Sequence, residues 1–299
     1  MLNFAQDSYF ERTSRPIYAI LFLLPFIIFY EAGTLFISTE LLGRYWQGRV
    51  VAFSWLQNCL MYLGFGSKFG WVATPLAVVV ILLALQITSR KSWRFWFMDI
   101  LPMTVECVLL AVPLIVLSMV LSSSTQPQPD DSGQFANNST QIQAGAVLKC
   151  SSVVPAYSVE DGGEDSPEIA EGDGKWQEIL ANVVTGIGAG IYEELVFRLI
   201  LIIVLMTVFQ HIFRLGHGVS IILAVCISSA LFGAYHHIIY MGGRFIQSSP
   251  FNWPEFSFRT IAGIYFALLF AIRGFGITAG AHAFYDIIAI FMNAFFHQP

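Results

Sequence analysis

The chain of 299 residues is 56% hydrophobic and only 12% charged, about half the charged fraction of ordinary soluble domains. That composition excludes a soluble globular protein, and with no basic run to follow a phosphate backbone it excludes a nucleic-acid binder as well. The net charge of −5 comes mainly from one polar loop.

Seven apolar runs follow one another at 16–37, 71–87, 104–121, 176–213, 219–241, 256–273 and 277–296, each long enough or nearly so to cross a bilayer as a helix, the fourth longer than a span needs. They predict an all-α fold, a polytopic transmembrane helix bundle of seven or eight spans. The eighth candidate, 50–66, is short and carries Gln57 and Asn58, so it either spans or lies on the surface. The first run is long for a signal peptide and has no small-residue cleavage pattern after it, so it reads as a retained anchor. Trp46, Trp71, Trp93, Trp96, Trp176 and Trp253 fall at or near run ends, where amphipathic rings prefer the membrane interface.

Arg90, Lys91 and Arg94 sit in a short connection that the positive-inside rule places in the cytoplasm, with Arg214 and Arg273 on the same side. The loop at 122–175 then lies outside. It is acidic, low in complexity and too poor in apolar residues to offset the entropy of ordering, so disorder is expected. Three regions result: N-terminal helices at 1–121, the extracytoplasmic loop at 122–175 and a polar-bearing bundle at 176–299. A multi-pass protein of the plasma (inner) membrane is expected. The sequons at Asn137 and Asn138 read as chance, and the scattered Cys59, Cys107, Cys150 and Cys226 as small buried hydrophobes rather than disulfide or metal sites.

The most informative segment is Glu-Glu-Leu-Val-Phe-Arg at 193–198, three formal charges inside an apolar run. Each costs about 2.5–3.5 kcal/mol at the centre of a spanning helix unless it faces a protein interior or a wet cavity. Glu194 and Arg198, four apart, share a helix face and can pair, which leaves Glu193 rotated by about 100° as the free carboxylate. Mutual neutralisation in a packed core is the alternative. Gly186 and Gly190 just upstream have the spacing for close helix contact. Two other spans carry polar groups: Phe232 and His236, with His237 next, and His282 with Asp286. Three such sites are most simply explained if a shared cavity lets them satisfy one another. Glu31 and Glu106 are further intramembrane acids without an assigned role. Span borders put His236 and His282 toward opposite sides of the membrane, leaving open the face to which a site would open.

Glu-Glu-x-x-x-Arg at 193–198, Phe-x-x-x-His at 232–236 and His-x-x-x-Asp at 282–286, in this order on successive spans, resemble the three motifs of the CPBP family. This family contains CAAX prenyl endopeptidases and bacteriocin-processing or immunity proteins. The resemblance covers about 176–290 and implies a glutamate-dependent intramembrane endopeptidase without metal or cofactor, acting on a membrane-associated protein or peptide. It implies that Glu193 and His236 activate a water, a role suited to a carboxylate withdrawn from bulk solvent. It also implies that His282 and position 286 serve the oxyanion. Position 286 is Asp where well-studied prenyl endopeptidases have Asn; an ionised carboxylate donates no hydrogen bond, so orienting His282 is the favoured role. Glu194 and Arg198 are supporting residues. Two alternatives stand beside this: a non-catalytic scaffold or immunity protein, and a zinc protease using Glu193, His236, His282 and Asp286 as ligands.

Overall fold

A computed structural model describes residues 7–40, 50–65, 70–124, 171–241, 244–247 and 251–296. Most of the loop expected to be disordered, the two sequons, Cys150 and Trp46 lie outside the described residues. The fold is a helix bundle: α1 (Tyr9–Thr13), α2 (Pro16–Glu40), α3 (Val51–Tyr62), α4 (Gly70–Ser89), α5 (Ile100–Ser124) and α6 (Glu171–Glu194). The last continues through a π-helical stretch, Leu195–Leu201, into α7 (Ile202–Thr207) and a second such stretch, Val208–Ile212. Then come α8 (His217–Tyr235), a hairpin of β1 (Ile238–Met241) and β2 (Arg244–Gln247), α9 (Trp253–Arg273) and α10 (Phe275–Phe296).

Seven helices among the described residues are long and apolar enough to cross a membrane, one for each apolar run, so the chain is a multi-pass integral membrane protein. The eighth candidate is settled by its length. At 12 residues α3 extends about 18 Å, well short of a hydrocarbon core of about 30 Å. The run at 219–241 stops being helical at Tyr235, where the chain turns into the hairpin.

Helical periodicity separates core from lipid along each span. In α5, Met103, Cys107, Ala111, Leu114 and Ser118 face inward, while Leu101, Val105, Leu109, Val112 and Val116 are exposed on the outer face. Cys59 and Cys226 are exposed, unlike the expectation for them, whereas Cys107 is buried. The central element is α10, with 72% of its span buried against 22–44% for the other six. It packs against α6, α5, α2 and α9. Its small residues make this possible: a Cβ on Gly276 would meet Ala19 of α2, and one on Gly280 would meet Phe22 and Cys107.

Glu106 finds its role at one end of the bundle. Arg273, at the end of α9, donates to both Glu106 oxygens at 2.5 and 2.7 Å, to Thr13 Oγ1 at 2.9 Å and to the Phe10 carbonyl at 3.0 Å. Tyr9 donates its hydroxyl to the same carboxylate at 2.8 Å. Arg12 adds two hydrogen bonds to Asp99 at the start of α5. Thus α1, outside the spans, is tied to α5 and α9 at the end of the bundle that holds the basic connection at 90–94. Replacing Arg273 by Met removes several charge-assisted bonds, each worth about 1.5–3 kcal/mol, and is expected to release α1. Faster amide hydrogen exchange over residues 9–13 with unchanged exchange in α10 checks this.

Candidate active site

The charged hexapeptide lies where α6 meets its π-helical continuation. Single π turns inside α-helices frequently occur at functional sites, and this one begins immediately after Glu194. Ser228 of α8 donates to the Phe197 carbonyl within it at 2.6 Å, fixing α8 against the widened turn. Upstream, the small-residue face does what its spacing predicts. A Cβ on Gly190 would stand 2.6 Å from Ala283 N and 2.9 Å from Ala279 O, and one on Gly186 would stand 2.8 Å from Asp286 Cβ. Backbone atoms of α10 cannot yield, so Gly190→Ala is expected to cost about 1–3 kcal/mol by overpacking. Gly216→Ala, where nothing lies within 4 Å, is the neutral comparison in the same thermal melts.

Glu193, Glu194 and Arg198 are all fully buried. The expected pair forms, with Arg198 Nε 3.1 Å from Glu194 Oε2. The guanidinium lies over the Phe232 ring at 4.1 Å, with Phe266 at 5.7 Å, and donates to the Gly263 carbonyl at 3.4 Å. Aromatic faces and a backbone carbonyl take the place of solvent around this cation.

The second carboxylate has a further partner that motif spacing does not show. Glu194 Oε1 lies 2.8 Å from His282 Nδ1, and because a carboxylate only accepts, the ring nitrogen donates. Asp286 Oδ2 is 3.7 Å from His282 Nε2, within ion-pair range but beyond a hydrogen bond. Stacking on Phe266 at 4.6 Å completes the hold on the ring. Glu194 is therefore the stronger orienting group for His282, with Asp286 flanking the opposite nitrogen.

Glu193 stands apart from this network. Among the described residues neither of its oxygens accepts a hydrogen bond, and its Oε2 lies 3.9 Å from His236 Nε2. His236 follows the last residue of α8, and its Nδ1 is 2.8 Å from the Phe232 carbonyl. A carbonyl accepts only, so Nδ1 carries a proton; in the neutral form of the ring, Nε2 then turns its lone pair toward Glu193. Phe232 and Tyr235 meet the ring edge-on at 4.9 and 5.1 Å.

The three motifs thus meet, despite the opposite depths that span borders suggest for the histidines. The Phe232 ring, one turn before His236, stands 6.1 Å from the His282 ring and covers Arg198. His237 instead packs beside Phe251 at 5.1 Å, and Glu31 accepts from the Tyr192 hydroxyl at 3.3 Å. Among the described residues no three His, Cys, Asp or Glu side chains are gathered to hold a metal ion. The four zinc donors named above fall into two pairs, Glu193 with His236 and His282 with Asp286.

Residues 175–288 match the family model described as Type II CAAX prenyl endopeptidase Rce1-like. Comparison with curated proteins and with solved structures gives no match. The matched stretch contains all three motifs, is consistent with the CPBP family and suggests a peptidase acting within the membrane.

Proposed function

We propose that this chain, whose residues 175–288 carry an Rce1-like domain, is an intramembrane endopeptidase in which Glu193 and His236 activate a water to hydrolyse a peptide bond. The observation that supports this most is the separation of 3.9 Å between the Nε2 of His236 and a buried carboxylate that accepts no hydrogen bond from the described residues. That distance exceeds a direct hydrogen bond and suits a water bonded at about 2.8 Å to each group. Such a water donates one proton toward each acceptor and points its own lone pair outward.

The steps balance. The water oxygen attacks the scissile carbonyl carbon, Glu193 takes the proton, and the carbonyl π electrons move to oxygen. On collapse the C–N bond breaks and the leaving amine takes the proton from Glu193. His282, oriented by Glu194 and flanked by Asp286, serves the oxyanion from its Nε2 edge. Arg198 balances Glu194 and leaves Glu193 as the base. The substrate is a peptide segment of a membrane-associated protein. A prenylated C-terminus is one such substrate class, suggested by the family description alone.

Comparing membrane proteomes of cells carrying the wild type and Glu193→Gln tests the function. The substitution keeps size and removes the base, so uncut precursors are expected to accumulate. An unchanged proteome with an intact cellular phenotype would favour the scaffold reading.

A further inference from the structure

The site has a wall that the matched stretch does not supply. Helix α3 places its first turns against Tyr235, the residue before His236. The Ala52 amide donates to the Tyr235 hydroxyl at 3.0 Å. Trp55 meets the Tyr235 ring edge-on at 5.1 Å and lies 6.5 Å from Phe197, and Phe53 meets Tyr192, the neighbour of Glu193, at 5.0 Å. Val51, Phe197, Phe232 and Tyr235 form one buried apolar cluster. The N-cap residue of α3, Val50, has no side-chain acceptor to offer; the tyrosine oxygen supplies one to Ala52.

This leaves the tyrosine with a spare function. Its oxygen accepts from Ala52, which fixes the ring and polarises the O–H bond, while its own proton has no acceptor among the hydrogen bonds of the described residues. The ring packs edge-on against His236 at 5.1 Å, and Phe53, the residue after Ala52, meets the ring of Tyr192, the neighbour of Glu193. A buried hydroxyl on a ring that packs against His236, with a proton to donate, matches what a developing oxyanion needs. His282 is less free to serve alone, because a carboxylate faces each of its nitrogens.

We propose that Tyr235 is a further catalytic residue, its hydroxyl seated on α3 and donating a hydrogen bond to the oxyanion formed when water attacks the scissile carbonyl. This rests on the hydrolase reading above. It makes α3 part of the working site, although α3 lies outside the matched residues.

The test uses the full chain in proteoliposomes and a quenched fluorescent peptide selected from a random library by wild-type cleavage. Tyr235→Phe is expected to lower kcat by about 10²-fold with KM near wild type and a lowered melting temperature, because the buried Ala52 amide loses its acceptor. Arg273→Met, whose partners are Glu106, Thr13 and Phe10 rather than the site's side chains, is expected to lower the melting temperature as well and to leave kcat within a few-fold. Wild-type kcat in Tyr235→Phe beside an inactive Glu193→Gln overturns the tyrosine role and leaves the hydrolase reading standing. Full activity in Glu193→Gln sinks the hydrolase reading itself. A readout independent of substrate is the ¹⁹F resonance of 3-fluorotyrosine at position 235. It is expected to shift on Glu193→Gln, and an unmoved resonance places the hydroxyl away from the carboxylate and overturns the proposal.

Discussion

Glu193→Gln in the purified chain is expected to lower kcat by about 10²–10⁴-fold, the range that a positioned general base contributes, while the protein still folds. The amide fills the same volume, and the wild-type carboxylate accepts no hydrogen bond from the described residues whose loss would unfold the site. His236→Gln is expected to act on the same step, so the double variant should be little worse than either single one. Groups that act on one water are non-additive in this way. Strictly multiplicative losses would show that the two side chains serve separate steps, against the arrangement of Oε2 and Nε2 at 3.9 Å.

Arg198→Met has the largest expected effect on stability. Removing one partner of a buried ion pair leaves an uncompensated charge and costs about 3–5 kcal/mol, and here both side chains are fully buried. The double variant Glu194→Gln/Arg198→Met removes both charges and is expected to regain more than half of that loss. Activity should not return with it, because the same substitution weakens the acceptor that holds His282 at 2.8 Å. Thermal melts and kcat measured on both variants separate the two roles. Recovery of both quantities together would mean that Glu194 serves the fold alone.

The spans were legible because composition and period carry them: every apolar run became a spanning helix, and Trp93, Trp96, Trp176 and Trp253 are exposed near their ends. The Glu194–Arg198 pair and the tight approach at Gly190 followed from helical spacing alone. What escaped the sequence joins residues far apart in it. The bond from His282 to Glu194 crosses 88 positions, the clamp of Arg273 on Glu106 crosses 167, and the seat of Tyr235 on Ala52 crosses 183. No local period encodes which of two adjacent carboxylates a distant imidazole will meet. The π-helical turn after Glu194 also has no residue signature; its apolar sequence reads as ordinary helix.

The idea that a water is activated between Glu193 and His236 is tested most directly by a single turnover in H₂¹⁸O with enzyme in excess. Mass spectrometry then reads the new C-terminal carboxyl of the product and the tryptic peptide containing Glu193. General-base hydrolysis places one ¹⁸O in the product and none in Glu193. Label in the Glu193 carboxyl would mean that this side chain attacks the carbonyl itself, and would contradict the mechanism.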